Sequence, residues 1–135
     1  MSYITVENLN VINAELTNWC NAGCPMCQRF DWKLNLVKGV TNTKHTTLKL
    51  IKEKIGSKII SQLNQFFSNG IVGDAIMNPE CLEIYEYVKS KGTCDLTLHT
   101  NGGARNKEFW RDLAKIPVYV VFAIDGLEDT NHLYR

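Results

Sequence analysis

The run DLTLHT at residues 95–100 reads as a short strand, and Asn101-Gly102-Gly103 directly after it breaks the pattern. Downstream, NKEFWRDLAKI at 106–116 has the spacing of a helix facing inward through Phe109, Trp110 and Leu113, with Pro117 to end it. VYVVFAI at 118–124 is then apolar without alternation. That is the pattern of a strand buried on both faces, closed by Asp125-Gly126.

The same unit recurs upstream. NQFFSNGIVGD at 64–74 reads as a short buried strand ending in glycines. Asn78 then caps a helix with Pro79 at its first position, and Cys81, Ile84, Tyr85 and Val88 form one apolar stripe until Gly92 stops it. Earlier still, Thr46 or Thr47 caps a helix carrying Leu48, Ile51 and Ile55. Gly56 interrupts that helix, and a second piece holds Ile59, Ile60 and Leu63. The first strand is INAELT at 12–17, with Ile12, Ala14 and Leu16 on one face. Four strands, each leading into a helix or a turn, predict an α/β fold with a parallel sheet.

Length and composition agree with one globular domain. The chain has 135 residues, 44% hydrophobic and 21% charged, enough for one modest core and unlike disordered, collagen-like or membrane-spanning chains. A net charge of +1 gives no broad field to draw nucleic acid or a membrane, and Trp32, Phe109 and Trp110 read as packing residues or loop anchors because no basic groove accompanies them. The start, MSYITVENLN, lacks the basic and apolar regions of a secretory signal. A cytoplasmic location is therefore expected, where thiols stay reduced.

The unusual residues follow the strands: Cys20, Cys24 and Cys27 after the first, Gly73-Asp74 after the second, Thr100-Asn101-Gly102 after the third and Asp125-Gly126 after the fourth. Parallel βα folds build sites from the loops at the carboxyl ends of their strands, so these clusters should meet on one rim. Three of the five cysteines fall within LTNWCNAGCPMCQRF at 16–30. Three thiolates on one loop can reach a common metal centre and leave one position of it open for a small molecule. On spacing alone the trio also suits a zinc site completed by His45, His99 or a water. Cys24-Pro25-Met26-Cys27 also reads as a dithiol redox motif. Cys81 and Cys94, each alone in or beside an apolar pattern, read as buried small hydrophobes. Gly73 and Gly102 are equally readable as turn residues, Asp74 and Asp125 as helix caps, and His99 as a structural histidine.

The cysteine spacing Cys20-x3-Cys24-x2-Cys27 after a first strand, followed in order by GIVGD, LHTNGG and FAIDG, resembles the radical S-adenosylmethionine enzymes. The resemblance spans nearly the whole chain. It implies a partial (β/α) barrel of about six βα units, of which residues 1–135 would supply about four, ending after the fourth strand at NHLYR. That would leave the apolar fourth strand as an exposed edge.

The family also implies a 4Fe-4S cluster on Cys20, Cys24 and Cys27, with S-adenosylmethionine chelating the fourth iron. The reduced cluster would cleave the sulfonium to methionine and a 5'-deoxyadenosyl radical that removes a substrate hydrogen atom. An electron donor such as flavodoxin or ferredoxin is implied as partner. The substrate could be a peptide, a nucleoside or a small metabolite. By the same resemblance Gly73-Asp74 would meet the cofactor's amino group, Met26 its adenine, and Asn101 and Asp125 other parts of it. The chain departs from the family pattern at Val72, where a glycine is common, at Asp74 for glutamate, at Ala75 for proline, and at Ala123 for a hydroxyl residue.

Overall fold

The computed structural model describes residues 3–40 and 44–134. Four strands, β1 (Val11–Asn13), β2 (Gln65–Ser68), β3 (Asp95–Thr100) and β4 (Val118–Phe122), are hydrogen-bonded in chain order, each parallel to its neighbour. Helices α1 (Leu48–Lys54) and α2 (Gly56–Gln62) join β1 to β2, α3 (Cys81–Lys91) joins β2 to β3, and α4 (Lys107–Leu113) joins β3 to β4. The strand order runs sequentially, without the reversal of a doubly wound sheet, and right-handed crossovers, the general rule for parallel βαβ units, would place the connecting helices on one face. The α/β class and parallel sheet expected from the sequence are thus present.

Burial follows that winding. Phe66, Leu96 and Leu98 point to the helical side and are fully buried against Cys81, Ile84, Tyr85 and Val88 of α3, with Ile51, Ile60 and Leu113 completing the core. Each large apolar side chain enclosed in this way contributes about 2 kcal/mol. Tyr85 packs edge-on to Phe66 at 5.9 Å, and its hydroxyl donates to the Thr97 carbonyl at 2.9 Å. The left-handed φ of Gly56, +74°, makes the break between α1 and α2.

Three expectations need correction. The first strand was expected over 12–17, but the β1 ladder stops at Asn13, because the chain beyond it turns to other partners described below. The helix expected from Pro79 begins at Cys81: Asn78 Oδ1 does accept from an early amide, Glu80 N at 2.8 Å, but its Nδ2 is drawn to the Leu16 and Thr46 carbonyls, both at 2.7 Å. The fourth strand, expected to be buried on both faces, is covered on one. Val118 and Val120 pack on the core, whereas Tyr119 is 67% and Val121 42% exposed, because the helices cover only the opposite face. Phe122 leans on Trp110 of α4 at 5.7 Å. No helix among the described residues is long and apolar enough to cross a membrane.

Candidate functional site

Beyond Asn13 the chain is anchored residue by residue up to the first cysteine. Ala14 N still donates to Phe67 O at 2.8 Å, and the Glu15 carboxylate then accepts from Ile71 N at 3.2 Å and Val72 N at 3.3 Å, holding the loop after β2. The Leu16 carbonyl accepts from Thr46 N at 2.8 Å. The buried Thr17 hydroxyl lies 3.1 Å from Lys44 O and 2.9 Å from His45 Nδ1, and accepts from Trp19 N at 3.0 Å. Cys20 therefore leaves a fixed platform.

The cysteine loop closes on itself through turns, with Cys27 N donating to Cys24 O and Phe30 N to Cys27 O, both at 3.0 Å. Arg29 is buried in it, its Nη1 donating to Ala22 O at 3.2 Å across the loop. Cys20, Cys24 and Cys27, none of them in a disulfide, line one cavity of about 270 Å³. Its lining also includes Gly73 and Asp74 after β2 and His99, Thr100 and Asn101 at the end of β3.

Gly73 is held by proximity. A Cβ placed on it would lie 2.1 Å from the Thr17 carbonyl oxygen and 2.9 Å from that of Trp19, so the second loop touches the backbone of the first. Asp74 N donates to that same Trp19 oxygen at 2.8 Å. The Asp74 carboxylate, 4% exposed, joins the loops after β2 and β3: Oδ2 accepts from Thr100 Oγ1 at 2.9 Å, Asn101 N at 2.9 Å and Asn101 Nδ2 at 2.8 Å. Oδ1 accepts from Ile76 N at 3.2 Å, which leaves it a further acceptor position. The aspartate also caps the short 3-10 turn Ala75–Met77.

Among the residues singled out from the sequence, the three cysteines, Gly73, Asp74 and Asn101 come together around the cavity. Met26 and Asp125 do not line it. Met26 is 82% exposed on the cysteine loop, and the backbone N of Asp125 donates to Asn131 Oδ1 at 3.0 Å. Of the two histidines weighed as extra ligands, His99 is in the wall, while His45 faces Thr17. The wall also includes Arg29, Asn69, Gly70 and Tyr134, which the sequence did not single out. Gly70 alone carried a signal, the glycine at the end of the β2 run, and its φ of +68° uses the freedom only glycine has. Arg29 sits in a polar loop without periodicity, and Tyr134 approaches from the far end of the chain.

Burial pushes the Cys20 thiol above its ordinary value; the Ala22 amide works against this, the Asp74 carboxylate adds to it, and the Arg29 guanidinium opposes it. Among the described residues, no three His, Cys, Asp or Glu side chains crowd closely enough to hold a single metal ion. One tetrahedral zinc needs each thiolate about 2.3 Å from a common point. A cubane takes each thiolate at a different iron corner, so its ligands stand further apart around a common body. The three thiols line one cavity, and none of them is in a disulfide.

The chain matches no protein-family model and no curated protein sequence.

Proposed function

We propose that this chain is the N-terminal part of a radical S-adenosylmethionine enzyme core, with Cys20, Cys24 and Cys27 holding a 4Fe-4S cluster. The observation that carries this reading is the cavity itself. Three thiols from the loop after β1 share it with Gly73-Asp74 after β2 and Asn101 after β3, at the carboxyl ends of parallel strands in sequential order. When bound, such a cluster supplies one electron that cleaves S-adenosylmethionine to methionine and a 5'-deoxyadenosyl radical, which abstracts hydrogen from a substrate.

The chain's own residues bind and orient. The thiolates fix the cluster, and Arg29, buried in the same loop, offsets part of the negative charge at Cys20. The Asp74 carboxylate, which lines the cavity, would meet an ammonium group there through the acceptor capacity left on Oδ1, while its Oδ2 joins the loops after β2 and β3. Further strands beside β4 would complete the barrel wall in this reading. The substrate-facing surface would then be the uncovered face that bears Thr97, His99, Tyr119 and Val121.

The test is anaerobic reconstitution with iron and sulfide, followed by metal analysis and electron paramagnetic resonance of the reduced protein. About four irons per chain and a spectrum that changes on adding S-adenosylmethionine are expected. Zinc in place of iron, or no metal, would overturn the reading.

A further inference from the structure

Asn101 touches the cavity in a way that the cluster reading leaves unexplained. Its side-chain orientation is fixed, because Oδ1 accepts from Gly103 N at 2.7 Å, which identifies the other end as the amide nitrogen. That Nδ2 faces three acceptors: Asp74 Oδ2 at 2.8 Å, Asn21 Oδ1 at 3.0 Å and Cys20 Sγ at 3.5 Å. Cys20 Sγ also accepts from Ala22 N at 3.4 Å. One sulfur of the trio thus takes two N–H donors, one from its own loop and one from a side chain 81 positions away.

The backbone donor goes with the fold of the loop. The side-chain donor is held from β3 by Asp74, whose Oδ2 binds both the backbone and the side-chain nitrogen of Asn101. Nδ2 has two hydrogens for three acceptors, so the share reaching sulfur depends on its competitors. Thiolate sulfur is a stronger acceptor than thiol, and the bond strengthens as negative charge on the sulfur grows.

We propose that Asn101 donates a hydrogen bond to the Cys20 sulfur and, held there by Asp74, raises the reduction potential of the cluster that Cys20 helps to bind. This rests on the cluster reading given above. Reduction adds one electron to the cluster and breaks no bond. The added negative charge is spread over the irons and sulfurs, and an N–H aimed at a ligand sulfur stabilises the reduced form more than the oxidised one. Asn101 is a tuning donor, distinct from the thiolates that bind.

The test is a dithionite titration, with redox mediators, of the reconstituted protein without S-adenosylmethionine, monitored by electron paramagnetic resonance. Iron and sulfide are counted in every sample. Asn101→Ala removes the donor and is expected to shift the potential to a more negative value at unchanged iron content. Asn21→Ala removes a competing acceptor, leaves more of Nδ2 for sulfur, and is expected to shift it to a more positive value. General loosening of the loop would not move the two variants in opposite directions. Equal potentials in the three proteins, or shifts of the same sign in both variants, with iron at about four per chain, would overturn this proposal and leave the cluster reading standing. A wild-type chain that takes up no iron would overturn both.

Discussion

Cysteines occupy two kinds of place in this molecule. Cys81 and Cys94 lie in the core, 0% and 2% exposed, where Cys81 continues the apolar stripe of α3. Cys20, Cys24 and Cys27 lie in a loop at the carboxyl end of the sheet, around a cavity whose wall also carries the Asp74 carboxylate, the Asn101 amide and the Arg29 guanidinium. The contrast shows that the element a thiol sits on decides its chemistry. On a buried helix face it fills space, and in a loop leaving a strand it faces a cavity lined with polar partners.

The largest expected difference is in reactivity. Burial pushes the Cys81 thiol up to about 12, so at pH 8 roughly one molecule in ten thousand carries the thiolate there. In metal-free native protein, the partly exposed Cys20 and Cys27 should react with a thiol reagent well before the buried Cys81 and Cys94, although the raised Cys20 thiol slows its own reaction. Peptide mapping of the labelled sites at short times checks this, and early label on Cys81 would erase the contrast.

The next effect concerns the contact that joins two of the loops. Gly73→Ala places a methyl group against the Thr17 carbonyl and should cost about 3 kcal/mol of unfolding free energy in urea. Gly23→Ala, inside the cysteine loop with nothing within 4 Å of its Cβ position, should stay within about 0.5 kcal/mol of the parent. Equal costs would mean that the two loops do not touch as described.

Alkaline stability probes the core side. The native Cys81 thiol keeps its proton well above its ordinary value near 9, so the unfolded chain loses that proton first as pH rises. Stability from this group is complete below pH 9 and falls between pH 9 and about 12, by about 3 kcal/mol at pH 11. Tyr85, also shifted upward by burial, steepens the loss above pH 10. Urea midpoints measured across this range should fall less steeply for Cys81→Ala.

The smallest effect belongs to the uncovered face. Tyr119→Lys on β4 should change stability by no more than about 0.5 kcal/mol, because the ring is already 67% exposed. A larger loss in a urea melt would show that this face is covered.

Much of this arrangement was legible in the sequence. The stripe of α3 and the strand DLTLHT could be read because one side of each is apolar and Asn101-Gly102-Gly103 marks an end. The convergence of Cys20, Asp74 and Asn101 followed from their shared position after parallel strands. What could not be read depends on contacts between distant segments. Asn78 reaches back to the Leu16 and Thr46 carbonyls, and Glu15 leaves the strand pattern to hold the amides of Ile71 and Val72. The apolar run of β4 says what each face would tolerate. It does not say whether anything covers both.

Iron content of single-cysteine variants after anaerobic reconstitution tests the central claim most directly. The parent and Cys94→Ala should each hold about four irons per chain, while Cys20→Ser should lose most of them. Equal iron in all three, or loss in Cys94→Ala with retention in Cys20→Ser, would contradict the assignment of the rim thiols as the cluster ligands.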